Sequence, residues 1–220
     1  MSSNALLIIL CAVASYFIGS LNSSIIVVRL LKHEDIRNYG SKNAGLTNTL
    51  RCFGKGPALA TLISDLLKGS LTIILVKLIC SGCSDVMAAG YISGFMIMLG
   101  HIFPVYYRFK GGKGVLLAAS VLIAVDIQTF AIVIPIFIIM LFITRYVSLS
   151  SITAAVSYPV VTFIMQYFVR GLEMNEVILH TVLVAITSCL IIYMHKTNIS
   201  RLKNGTENKF SFSKSKKEGE

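Results

Sequence analysis

The sequence predicts an all-α polytopic integral membrane protein of about seven transmembrane helices, with its N-terminus outside and its C-terminus in the cytoplasm. Three observations predict it. The 220 residues are 55% hydrophobic and only 14% charged, whereas a soluble domain carries about a quarter charged residues, and mean hydropathy is +0.77. The apolar residues gather in runs near 5–28, 57–79, 86–107, 115–125, 127–144, 149–169 and 174–194, most of them near the roughly 20 residues that a spanning helix needs. Finally, the basic residues crowd into alternate connectors.

The first run has the apolar character of a signal-peptide core, but no basic segment precedes it and no clear small-residue cleavage pattern follows, so it reads as a first membrane helix. The second holds Asp65 and Lys68 three residues apart, where intramembrane charges pair and face the bundle interior. The fourth, 115–125, covers only ~16 Å as helix. It reads as a half-helix or as a span lengthened by its glycine-rich N-terminal turn, and a five- or six-span count is the alternative. Runs 127–144 and 149–169 contain no charged residue.

The net charge of +10 would suggest nucleic acid in a soluble chain. Here the connectors 29–55, 108–113 and 145, with the segment 196–220, hold every Lys and Arg except Lys68, Lys77 and Arg170. The opposite connectors hold Asp85, Asp126, Glu173 and Glu176. A Lys/Arg bias of this kind marks the cytoplasmic side. The charge is therefore topology, with some attraction to anionic lipid headgroups and no call for nucleic acid. Cys80 and Cys83 have CxxC spacing in an external connector, but without a second such pair zinc is disfavoured, leaving a disulfide or plain apolar filler. The sequence reads as a single membrane-embedded domain, 1–209, followed by a disordered basic cytoplasmic tail, 210–220.

Three polar segments fall on the basic side. "DIRNYGSKNAGLTNTLRCFGKG", Asp35 to Gly56, runs past 20 residues, where a connector in a helix bundle needs about 2–8. It could simply be a solvated loop that caps the next helix. Yet Ser41, Asn43, Thr47, Asn48 and Arg51, interspersed with glycines, form a set of small donors and a guanidinium suited to an oxyanion. "GHIFPVYYRFKGGKGV" places Gly111, Gly112 and Gly114 around Lys113 at the start of the short fourth run. Exposed N–H groups and the positive helix end favour an anion there, although a glycine hinge with topology-setting lysines is the bland alternative. It is not a Walker A loop, since Lys113 is followed by glycine. "HKTNISRLKNGTENK", His195 to Lys209, puts His195, Asn198 and Arg201 on one helical face, with Glu207 beyond a probable break. "RYVSLSS" adds Ser148, Ser150 and Ser151 on the same side.

Together and in this order, "GSKNAGLTNTLR", "GHIFPVYYRFKGGKG" and "HKTNISRLKNGTENK" resemble the three signature motifs of the bacterial acyl-phosphate-dependent glycerol-3-phosphate acyltransferases, the PlsY family. The resemblance extends over residues 5–209. It implies a seven-helix bundle in the bacterial cell membrane whose active site opens to the cytoplasm. The reaction implied moves a long fatty acyl group from acyl phosphate to the 1-hydroxyl of glycerol-3-phosphate, giving lysophosphatidic acid and phosphate, the first acylation of phospholipid synthesis. No metal or organic cofactor is implied. The partners implied are the two substrates, membrane lipids and the soluble acyl-phosphate synthase that supplies the donor.

By motif matching, the family's functional serine falls on Ser41, its arginine on Arg51, its lysine on Lys113, and its histidine and asparagine on His195 and Asn198. Asn43, Thr47, Asn48, Gly111, Gly112, Gly114 and Glu207 line the phosphate site by the same transfer, with Ser148 or Ser151 from the turn between the fifth and sixth helices. Four features depart from the family: Lys42 stands where glycine is common, Leu46 where alanine is common, "VLLAAS" replaces a commoner Val-Ala-Thr run after the second motif, and "GSLNSS" lacks the proline usual after the first helix's "GS".

Two anionic substrates in one site require the cations and donors found here. Because an acyl phosphate is already activated, the protein's work is positioning and stabilising the oxyanion and departing phosphate. His195 has the chemistry of a general base. With few carboxylates nearby to hold it in that role, it is expected instead to donate to a phosphate while the substrate phosphate takes the proton. The His-x4-Asp pattern of acyl-carrier-dependent acyltransferases is absent, because no Asp lies five places after any histidine. An anion transporter or channel is the rival class, but it predicts polar groups along a path through the bilayer. A non-catalytic scaffold would leave the clustered small polar residues without a purpose.

Overall fold

The computed structural model describes residues 3–210, and among them the chain is helical throughout. The helices are α1 (Ser3–Ser20), α2 (Ser23–Lys32), α3 (Leu46–Phe53), α4 (Lys55–Ile79), α5 (Val86–Ile102), α6 (Val115–Val125), α7 (Ile127–Thr144), α8 (Val147–Ile164), α9 (Met174–Met194) and α10 (Lys196–Lys203). Short 3-10 turns lie at Ile36–Asn38 and Val105–Tyr107, and a π-helical turn at Met165–Val169 closes α8.

Among the described residues, six stretches are long and apolar enough to cross a membrane: Asn4–Lys32, Lys55–Ile79, Val86–Tyr107, Ile127–Thr144, Val147–Val169 and Met174–Met194. The seventh expected run is α6, which stops at 11 residues. Its ends are set by chemistry: Gly114 enters it at φ 80, and the Asp126 carboxylate accepts the Thr129 N–H at 3.0 Å and the Thr129 hydroxyl at 2.7 Å to start α7. It packs between α4 and α5, where the Ser70 hydroxyl and the Lys77 ammonium donate to the Ser120 and Ala124 carbonyls at 3.0 and 3.1 Å.

The first run, read as one helix, is broken. Asn22 leaves the helical region with ψ 111, and its side chain caps α2 by accepting the Ile25 N–H. The Asp65–Lys68 pair forms as expected, 3.1 Å apart. It also pins this break, since Lys68 Nζ donates to the Leu21 carbonyl at 3.0 Å and the Ser23 hydroxyl donates to Asp65 at 2.6 Å.

α1 and α5 approach so closely that only glycine fits at their crossing. A Cβ on Gly19 would stand 2.0 Å from the Ile97 carbonyl oxygen, and one on Gly100 would stand 2.1 Å from that of Tyr16. Small residues at such crossings let backbones meet in the membrane. The connectors opposite the basic ones, where the sequence offers only the CxxC spacing, are tightly bonded. Asp85 caps α5 and lies 2.8 Å from buried His180, and Arg170 pairs with Asp126 at 2.5 Å.

All five cysteines are free thiols, with Cys80 buried beside Cys11 and Cys83 packed against them, so apolar filler is the reading that holds. The backbone N–H of Phe210 donates to the Arg145 carbonyl at 2.6 Å, which fastens the start of the expected tail to the α7–α8 turn. The remainder of that tail, 211–220, lies outside the described residues.

The α1–α5 crossing makes a prediction. Gly100→Ala should lower stability by about 1–3 kcal/mol, read as a fall in melting temperature in detergent. Gly56→Ala, where a Cβ meets open space, should leave the melt unchanged or raise it slightly.

Candidate active site

The long first segment folds around one amide. Asn48, buried on α3, donates through Nδ2 to the carbonyls of Tyr39 and Asn43 at 3.0 and 3.1 Å, and its Oδ1 accepts the Ser41 N–H at 3.0 Å. This pulls the loop over α3 and leaves Ser41 exposed at its rim. Gly40 is left-handed at φ 54 and lies against Asn48, where a Cβ would come 2.5 Å from Oδ1. Lys42 is also left-handed, at φ 59. That conformation costs a non-glycine residue about 1 kcal/mol. Asn48 is thus the organiser of the loop rather than part of an open lining. Asn43 and Thr47 are half-buried and Arg51 is exposed on the same short helix.

The glycine loop closes onto the end of α5. The N–H groups of Gly111 and Gly112 donate to the carbonyls of Ile102 and His101, both at 3.1 Å, and Ala44 N–H reaches Gly111 O at 3.4 Å. A Cβ on Gly111 would meet the His101 carbonyl at 2.0 Å, and one on Gly112 would meet His101 Nε2 at 2.3 Å. The glycines are there for close backbone approach, and two of their N–H groups are already bonded. The donors for an anion are then those of the first turn of α6, next to Lys113, where helix N–H groups have no intrahelical partner.

Lys113 is half-buried and donates to Asn198 Oδ1. Asn198, buried on α10, donates through Nδ2 to Glu207 Oε1 at 2.7 Å. The same oxygen accepts the Ser148 hydroxyl at 2.8 Å, and Oε2 accepts Arg201 Nε at 2.6 Å. Glu207 therefore joins the start of α8, helix α10 and, through Asn198, the glycine loop. Ser148 belongs to this cluster. Ser151 does not, since its hydroxyl donates back to the Val147 carbonyl at 2.8 Å. Arg201, placed by the sequence on the helical face of Asn198, joins the cluster through Glu207.

The cluster is short of negative charge. Burial, reinforced by Arg201 and Arg51 and opposed by Glu207, brings the Lys113 ammonium down to about 8. Burial opposes ionisation of Glu207, but hydrogen bonds from Arg201, Asn198 and Ser148 outweigh it and hold the carboxyl below its ordinary value. His195 is buried at the junction of α9 and α10, and burial, with Lys113 nearby, lowers it to about 4. Its Nδ1 lies 2.8 Å from the Ile191 carbonyl, which can only accept. A neutral His195 thus carries its proton on Nδ1 and presents Nε2 as an acceptor, the reverse of a phosphate donor.

The structure brings Lys113, His195, Asn198, Ser148 and Glu207 together, with Arg51 within electrostatic reach of Lys113. Ser41, Asn43, Thr47 and Asn48 belong to the neighbouring loop, which meets the glycine loop through Ala44 and Gly111.

Residues 9–205 match the family model for glycerol-3-phosphate acyltransferase. The chain is 37% identical over 229 residues to the glycerol-3-phosphate acyltransferase of Chlorobium phaeobacteroides, covering 94% of this chain and 97% of that one. It is 38% identical over 200 residues to that of Fusobacterium nucleatum, covering 91% and 96%. The crystal structure of PlsY (YgiH), an integral membrane glycerol 3-phosphate acyltransferase in its glycerol 3-phosphate form, superposes with a TM-score of 0.77 at 32% identity over 96% of each chain. Its lysophosphatidic acid form superposes with a TM-score of 0.75 at 30% identity. The matched segment contains every residue of the Lys113 cluster except Glu207 and both loops beside it, and on these grounds the chain belongs to the PlsY family of integral membrane glycerol-3-phosphate acyltransferases.

Proposed function

We propose that this protein transfers a long-chain acyl group from acyl phosphate to the 1-hydroxyl of glycerol-3-phosphate, releasing lysophosphatidic acid and inorganic phosphate. The observation that carries the reading is the meeting of Lys113 and Arg201 through Asn198 and Glu207, with Arg51 within electrostatic reach of Lys113, beside a neutral histidine acceptor. Such a site is under-neutralised and suits two phosphates. The relatives' names, and a solved neighbour in both a glycerol 3-phosphate and a lysophosphatidic acid form, support the same substrate and product. The acyl phosphate as donor, and a soluble synthase that supplies it, belong to this proposal.

In this mechanism the glycerol oxygen attacks the acyl carbonyl carbon, and the tetrahedral intermediate collapses with cleavage of the carbon–oxygen bond to phosphate. His195 Nε2 accepts the hydroxyl's hydrogen bond and aims its lone pair. A ring lowered to about 4 keeps only its Nδ1 proton at neutral pH and takes up no second one, so the proton of the hydroxyl passes to the departing phosphate. Lys113, with Arg51 and the first turn of α6, stabilises the developing charge. Asn198 and Glu207 hold Lys113 in place. Ser41, at the loop rim, binds the acceptor.

The site faces the cytoplasm in a bacterial cell membrane, with the N-terminus outside and α6 completing a seven-helix count as a partial span. The placement of the basic connectors supports this orientation. A phosphatase reporter fused within the Cys80–Cys83 turn should be active outside the cell, and one fused in the Arg145 turn inactive; the opposite pattern would reverse the orientation.

Purified protein in detergent, given palmitoyl phosphate and glycerol-3-phosphate, should release phosphate only when both are present. Lys113→Ala should lower kcat/KM by about 10²–10³. A folded protein that turns over none of several donors would return the transporter reading.

The pH profile tests the assignment of Lys113. The cation is the active form, so kcat/KM should be full below about 8 and fall as pH rises through it. Lys113→Arg, whose guanidinium stays charged, should be slower but without that basic limb. An unchanged limb would place the titrating group elsewhere.

A further inference from the structure

Asn22 takes no part in the chemistry above, yet it is 0% exposed and its side chain touches the first site loop and the end of α5 onto which the glycine loop closes. Nδ2 lies 3.4 Å from the Ala44 carbonyl in the first loop and 3.4 Å from the His101 carbonyl at the end of α5. The His101 carbonyl is the one that accepts the Gly112 N–H, and Ala44 N–H donates to Gly111. One amide therefore sits at the point where the loop that presents Ser41 meets the loop that presents Lys113. Its other end is fixed, since Oδ1 accepts the Ile25 N–H at 3.2 Å and the Ser24 hydroxyl at 2.9 Å. The backbone on either side is held by α4, through Lys68 to Leu21 and Ser23 to Asp65. Asp65 also lies 3.7 Å from His101 Nδ1, a buried nitrogen with no hydrogen-bond partner among the described residues.

We propose that Asn22 is a positioning residue for acyl transfer, whose amide sets the spacing between the Ser41 loop and the Lys113 loop. The proposal rests on the acyltransferase reading. A helix cap alone would explain the Oδ1 contacts but not the Nδ2 contacts, and the two roles separate by substitution. Asn and Ser are about equal as N-caps, with Thr close behind and Ala far poorer, but neither hydroxyl residue supplies an amide that reaches two carbonyls.

The experiment is steady-state kinetics with palmitoyl phosphate and glycerol-3-phosphate on wild type, Asn22→Ser and Asn22→Ala, with a melting curve for each in detergent. A positioning role gives Asn22→Ser the wild-type melting temperature, a kcat lowered about tenfold or more, and KM values within about threefold, since misplacement of reacting groups appears in the rate of chemistry. Asn22→Ala should share the kcat loss and also melt lower. If Asn22→Ser keeps wild-type kcat and only Asn22→Ala is impaired, Asn22 is a cap and the proposal fails. It fails equally if KM rises at unchanged kcat. Should Asn22→Ser not fold, Asn22→Thr carries the same comparison. A wild-type protein without turnover overturns the acyltransferase reading instead.

Discussion

Beside Lys113 one carboxylate, Glu207, meets Arg201 directly and Lys113 through Asn198, with the exposed Arg51 within electrostatic reach of Lys113, and the surrounding loops hold this excess of positive charge together. Burial of the Lys113 ammonium, with Arg201 and Arg51 adding to it, lowers it to about 8. Glu207 offsets part of it by accepting from Ser148, Asn198 and Arg201 at once. In the proposed reaction a substrate phosphate supplies the remaining counter-charge.

Rigidity at the loops follows from the same need. The groups that the proposed reaction sets against phosphate lie on connectors, which are ordinarily the mobile parts of a fold. Here each connector is tied down by backbone contacts that only glycine permits, as at Gly111 and Gly112, or by a buried amide, as at Asn48 and Asn22. The bundle below supplies the anchor points, because Asp65 and Lys68 hold the α1–α2 break from inside α4.

Much of this was legible in the sequence because the site conflicts with local propensity. Glycines, asparagines and lysines at the ends of apolar runs disfavour both helix and lipid, so their presence in three segments pointed to a purpose, and the Asp65–Lys68 spacing announced a pair. What was hidden depends on contacts between residues far apart in the chain. The Asn22 amide meets the carbonyl of His101, 79 residues away, and nothing in "GSLNSS" distinguishes a brace from an ordinary helix break. The Gly111 and Gly112 N–H groups looked free because sequence does not reveal which way a backbone donor points. Ser148 and Ser151 could not be ranked until the helix phase placed one against Glu207 and turned the other to its own backbone. The acceptor face of His195 likewise depends on one carbonyl, that of Ile191.

The shortness of α6 reaches beyond the count of spans. At one end Gly114 lies beside Met98, about a turn inside the end of α5; at the other, Val125 lies beside Gly90, about a turn inside its start. The helix is inset, like a step cut below the rim of the bundle, and Lys113 stands on that step. In the proposed reaction a water-soluble phosphate descends past the rim to reach Lys113, and the carbonyl of a lipid donor rises to the same level without drawing its chain out of the bilayer. On that proposal the length of one helix sets the depth at which two substrates of opposite solubility meet, and lengthening α6 by a turn at its N-terminal end would raise that floor.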